Sequence, residues 1–224
     1  MLFNTWTARN WAVYHAVIPT NLAAGYDLLA GNHAGATGEF EPFDRNRALV
    51  EEYGRVEGNA VALREALAFI LDSPAEFLKQ TANRVSIYFS VMRPTGFWFH
   101  LDGPARAVTL ALSALYSVLL FFFGFWGVYR MKFLDAPDKR RARWLLAFLA
   151  MMPLSIVGII VETRYRALSY PFFAVFAGFG MMGLTERTEW KAAAVIGGAL
   201  AANSIADGLI NLDRIIGRLR DLFL

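Results

Sequence analysis

Residues 107–129, AVTLALSALYSVLLFFFGFWGVY, run for 23 positions without a charged side chain, and nothing else in the chain restricts its fold so severely. Crossing a bilayer takes about 20 mostly apolar residues in a helix. In hydrocarbon the backbone must satisfy its own polar groups, which a single segment does only as a helix. Residues 144–161 and 167–185 add 18 and 19 further positions without charge. Three transmembrane helices are therefore expected. A shorter Ala/Gly-rich run, about 192–211, reads as a fourth whose small residues permit close packing. The expected class is an all-α integral membrane protein with three to four spans. Of 224 residues, 56% are hydrophobic and only 18% charged; a soluble core would not gather its apolar residues into such runs.

Charge sets an orientation. Residues 130–143, RMKFLDAPDKRRAR, hold six Lys/Arg against two Asp. Short basic loops beside spans are normally cytoplasmic, and this one is too short and too closely flanked by membrane to imply nucleic acid. By alternation, residues 162–166 and the whole of 1–104 face outward. An exported 104-residue segment needs a signal, and MLFNTWTARNWAVYHAVIP has neither the basic head nor the apolar stretch of a signal peptide. The chain therefore reads as the C-terminal portion of a larger membrane protein. It contains no cysteine, so neither disulfides nor thiolate metal sites enter the account.

Three zones follow: 1–104 as an extracytoplasmic loop with amphipathic helices, 105–212 as the membrane part, and 213–224 as an amphipathic tail. Residues 1–45 look irregular, with GYDLLAGNHAGATGEFEPF rich in glycine and in turns of positive φ. Residues 46–72 repeat apolar side chains at helical spacing, from Ala48 and Leu49 through Tyr53, Leu63, Ala66 and Leu67 to Ile70. Ser73-Pro74-Ala75-Glu76 opens another helix, with proline at the first helical position. That helix reaches about Arg93, with Phe77, Leu78, Val85, Tyr88 and Phe89 beside Lys79 and Arg84, and either lies in the headgroup layer or packs on its neighbours as ordinary core. Pro94 stops it, and Phe97-Trp98-Phe99 reads as an interfacial anchor. The tail carries Arg214, Arg218 and Arg220 between apolar residues.

The chemistry-bearing stretch is ETRYR. Glu162, Arg164 and Arg166 lie in the few residues between two apolar runs, where a charge facing lipid is costly. Arginine at a boundary can simply snorkel towards headgroups. Two guanidiniums flanking Tyr165 also offer planar donor pairs for phosphate oxygens, and Glu162 would orient or neutralise one of them. A ligand there would have a phosphate at the membrane surface and an apolar body within it. No GxSxG, Walker-type or HExxH pattern occurs. His15, His33 and His100 are too scattered for metal ligands, and Glu39, Glu41 and Asp44 read as a solvated acidic turn. No metal or cofactor is implied.

Three segments in order carry a resemblance. They are Arg9-Asn10 followed by IPTNLAAGYDLLAGNHAGATGEF (18–40), then ILDSPAEFLKQTANRVSIYF (70–89), then ETRYRALSYPFF (162–173). Together they resemble bacterial glycosyltransferase family 39-type proteins, related to protein O-mannosyltransferases and to the aminoarabinose transferases of lipid A. The likeness covers most of residues 4–185, and His33-Ala34 departs from the commoner asparagine-proline form. It implies a partial GT-C-type fold and transfer of a sugar from a polyprenyl-phosphate donor to a lipid, glycan or protein acceptor on the outer face. The family's catalytic acid falls near its N-terminus, outside this chain, so no catalytic residue is assigned. Arg164, Tyr165, Arg166 and Glu162 would meet the carrier phosphate; Arg9, Asn10 and Asn32 would shape the outer cavity. The alternative is a non-catalytic membrane scaffold or regulatory subunit.

Overall fold

A computed structural model describes residues 2–18, 21–91, 93, 103–185, 189–213 and 216–217. Among these the chain is helical: α1 Leu2–Tyr14, α2 Ala24–Gly31, α3 Asp44–Asp72, α4 Pro74–Phe89, α5 Gly103–Arg130, α6 Ala136–Val157, α7 Tyr170–Met181 and α8 Trp190–Ile210. Short 3-10 turns occupy Met131–Phe133, Thr163–Leu168 and Met182–Thr185. Extended pairing among the described residues is limited to one isolated parallel bridge, Glu39 with Val161. Pro94, the 97–99 aromatic cluster, His100 and the arginines of the tail lie outside the described residues.

The chain divides into two units. The first comprises the chain up to Arg84 together with Val157–Val161. Here residues 1–45, expected to be irregular, contain two helices. The glycines of α2 serve close packing as well as turns: a Cβ on Gly25 would collide with the Asn59 carbonyl of α3, and one on Gly31 with the Ile159 carbonyl. Positive φ is confined, within this loop, to Gly35 and Gly38. The Gly25 amide donates to Asn59 Oδ1 at 2.9 Å, and Asn46 Nδ2 to the Tyr26 carbonyl at 2.9 Å.

The expected 46–72 helix is broken at Gly54, where φ is 73°. The break resets the helical phase, so the buried stripe is Leu49, then Gly58, Ala62 and Ala66. Tyr53, Leu63 and Leu67, expected on the buried side, are exposed.

The second unit comprises Val85–Ile156 and the chain from Glu162 onward. Its centre is the contact between α5 and α7. Gly124 faces Phe173, Gly127 the Phe176 backbone and Gly180 the Phe123 carbonyl, all too close to admit a Cβ. Tyr116 beside Tyr170, Gly124 beside Phe173 and Arg130 beside Gly183 follow in the same order along both segments, so the two helices are parallel. Phe89, Phe121, Phe125 and Phe173 pack edge to face between them, at 5.2–6.4 Å between centroids. Helix α8 runs antiparallel to α5, with Trp190 beside Trp126 and Gly197 beside Phe122.

Two helical stretches, Gly103–Phe133 and Trp190–Ile210, are long and apolar enough to cross a membrane. Only 22% and 17% of their most apolar windows is buried, unlike the core helix of a soluble protein, which hides such residues. In the other two expected spans the helix covers only part of the apolar run. Helix α7 has 12 residues, because 163–168 form a 3-10 turn. The 144–161 stretch leaves the helix at Val157: the carbonyls of Val157, Gly158 and Ile159 are taken by side chains of the first unit, and the Val161 amide donates to Gly38 O at 3.0 Å.

Candidate functional site

The residues expected around a phosphate prove to have unlike roles. Arg166 is fully buried. Its Nη1 donates to the Arg93 carbonyl at 2.7 Å and its Nη2 to the Ile87 carbonyl. These acceptors lie at and beyond the end of α4, where helical carbonyls lack intrahelical partners. Asn203 Nδ2 takes the neighbouring Ser86 carbonyl at 3.0 Å. Ser204 Oγ accepts the Val91 amide at 3.1 Å. Side chains therefore finish α4 at Phe89, four residues before the expected Arg93. Burial lowers the Arg166 pKa to about 10, which leaves it charged at neutral pH. Its guanidinium braces the hairpin and is closed to a ligand, so the expected pairing of Arg164 and Arg166 on one phosphate is not formed.

Arg164 is the accessible member, with 45% of its side chain exposed. Glu162 engages it bidentately through Nε and Nη2, the latter at 2.9 Å. Its carbon Cζ lies 5.5 Å from the Tyr165 ring centroid. The carboxylate and the ring fix the guanidinium plane and direct its remaining donors away from Glu162. The Arg166 carbonyl accepts from Ser169 Oγ at 2.7 Å, and Tyr88 Oη donates to that hydroxyl at 3.0 Å. The turn carrying Arg164 is thus anchored from its buried side.

The remaining candidates belong to the first unit and make contacts within it. Asn10 is buried and donates to the Ile18 carbonyl at 2.9 Å, holding the chain after α1; Arg9 is exposed and donates to Asn10 Oδ1 at 3.0 Å. Asn32 is completely buried, its amide reaching the carbonyls of Leu28, Gly158 and Ile159 at 2.9, 3.2 and 3.3 Å. Its Oδ1 accepts from Arg84 Nη2 at 3.0 Å. His33 stacks on Phe43 at 4.0 Å. Glu39, expected to be solvated, is buried at the bridge to Val161. Among the described residues no group of His, Cys, Asp and Glu could hold a metal ion.

Sequence reasoning missed three buried cations. Arg84 donates to the carbonyls of Gly31 and Val157 and to Asn32, and burial lowers its pKa to about 10. It joins the loop of 18–40 to the end of the 144–161 run. The available signal was spacing: Gln80, Arg84, Ile87 and Tyr88 follow one another at helical intervals and form the buried face of α4, whereas Leu78 and Val85 point outward. Arg93 makes a buried bidentate pair with Asp207 at 2.7 and 2.8 Å, and Asn211 Nδ2 adds a bond to Asp207 Oδ1 at 3.0 Å. Arg130 pairs with Glu189 at 2.6 Å, also buried.

The second unit holds one further feature, a cavity of about 470 Å³ lined by Val85, Phe89, Phe125, Ile196 and Leu200, with Asn203 as a polar edge. No protein-family model, curated protein or solved structure matches the chain.

Proposed function

We propose that this chain is the carrier-binding part of a membrane glycosyltransferase that moves a sugar from a polyprenyl-phosphate donor to an acceptor on the outer face. The observation that carries the reading is Arg164: an oriented, accessible guanidinium on a braced turn that leads directly into an apolar helix. Phosphate recognition by such a fork is charge-assisted and planar. The two exposed apolar helices support a bilayer setting, and the apolar cavity suits hydrocarbon.

The donor class rests on the resemblance of the three sequence segments. Arg164 contacts the carrier phosphate, Tyr165 and Glu162 orient it, and Arg166 holds the turn. No group here is assigned as the acid or base of transfer.

The test compares binding of a polyprenyl phosphate with that of the matching phosphate-free polyprenol in lipid nanodiscs. Wild type should prefer the phosphate, and Arg164→Gln should lose at least tenfold of that preference with thermal stability unchanged. Equal binding of both lipids by wild type, or an unaffected Arg164→Gln variant, removes the assignment and leaves the scaffold reading.

A further inference from the structure

Helix α6 divides into two faces. Ala142, Leu145, Leu146 and Leu149 turn inward and pack in the core of the second unit. The opposite face, Arg140, Trp144, Phe148, Met151 and Leu154, is exposed at spacings of three and four residues. Trp144 is 67% exposed and Leu154 71%, values that suit lipid as the surrounding solvent for the apolar part. The stripe is graded: cations at its start, an indole next, then only hydrocarbon. Indoles prefer the headgroup level of a bilayer, which sets Arg140 and Arg143 at phosphate depth and Phe148 to Leu154 at acyl depth.

The local charges are unequally committed. Arg130 is buried against Glu189. Lys132 donates to Tyr129 Oη and lies over the Tyr129 and Phe133 rings, and Lys139 donates to the Lys132 carbonyl at 3.0 Å. Asp138 is paired with Arg141 at 2.9 Å, and Asp135 Oδ1 accepts the Asp138 amide at 3.0 Å. Arg140 and Arg143 are exposed and have no partner among the described residues. Leaving out buried Arg130, the turn carries five cations against two carboxylates, a surplus of three.

We propose that this face of α6 binds an anionic phospholipid, its phosphate held by Arg140 and Arg143 and its hydrocarbon laid along Phe148, Met151 and Leu154. The site lies at the opposite end of the apolar region from Arg164 and uses none of its residues. It rests on the membrane reading alone, not on carrier recognition. Basic side chains near an anionic leaflet contribute about 1 kcal/mol each, so losing both arginines should weaken binding roughly thirty-fold.

Thermal unfolding of the detergent-solubilised chain, titrated with phosphatidylglycerol or phosphatidylcholine, reads this directly, because a ligand of the folded state raises Tm saturably. Phosphatidylglycerol should raise Tm and phosphatidylcholine should not. Arg140→Gln/Arg143→Gln should move half-saturation to roughly thirty-fold higher phosphatidylglycerol, while Arg64→Gln, at an exposed position of α3, leaves the response intact. Equal responses to both lipids, or an unchanged response in the double variant, overturn the proposal. Should the double variant fail to fold, added salt on wild type decides: the phosphatidylglycerol response must shrink as ionic strength rises, and a salt-insensitive response overturns it. Recovery of the chain in the soluble fraction would overturn the membrane reading itself, whereas a membrane-bound chain indifferent to phosphatidylglycerol defeats this site only.

Discussion

Two arginines two residues apart in one short turn do opposite work. Arg166 gives two charge-assisted hydrogen bonds to buried carbonyls, each contributing about 1.5–3 kcal/mol. Arg166→Gln should therefore destabilise the protein by about 3 kcal/mol or more, seen as a lowered thermal midpoint. Arg164→Gln should not. The buried Arg93–Asp207 pair offers a second contrast. Removing one partner of a buried pair leaves an uncompensated charge and costs about 3–5 kcal/mol, so Asp207→Ala should be severely destabilised, and Arg93→Met/Asp207→Leu much less so. The same chemical unfolding series measures both. The lowered pKa values of Arg84 and Arg166 carry a sign for pH. Both groups are protonated in folded and unfolded chain below about 10, so neither contributes pH dependence across the neutral range. Above that value the unfolded chain holds the proton longer, and their contribution rises with pH.

At the level of elements, glycine decides which helices touch. Gly127 and Gly180 let the backbones of α5 and α7 meet without an intervening side chain. Gly127→Ala should force the helices apart at a cost of about 1–3 kcal/mol, measurable as a lower unfolding midpoint, whereas Gly198→Ala, which meets open space, should be neutral. How much of this was legible beforehand varied by element. The 107–129 helix was readable because one property, absence of charge, sufficed. The end of α6 was not, since its carbonyls are claimed by Asn32 and Arg84, residues far away in sequence. Helix α3 was misread in phase because a single glycine at φ 73° restarts the periodicity. Arg164 was legible as a cation at the edge of an apolar run, and it is exposed; that Arg166 is buried depended on where α4 ends, which no local pattern encodes.

Within the second unit, two buried ion pairs mark two ends of α8. Glu189 holds Arg130 just before the helix starts, and Asp207 holds Arg93 near its finish. Seventeen residues separate Trp190 from Asp207, about 26 Å of helix, close to the roughly 30 Å of a bilayer's hydrocarbon. Arg166 donates to the Arg93 carbonyl, so the 163–168 turn belongs with the Asp207 end, and the basic 130–143 turn with the Glu189 end. Binding a carrier from the outer face requires these ends to face opposite compartments, the Arg164 end outward. Because the chain has no cysteine, single introduced thiols report this without background. Ala167 and Ala136 are both exposed. In intact cells a membrane-impermeant maleimide should label the Ala167→Cys variant and spare the Ala136→Cys variant until the membrane is permeabilised. Labelling of Ala136→Cys alone would contradict the outward carrier site.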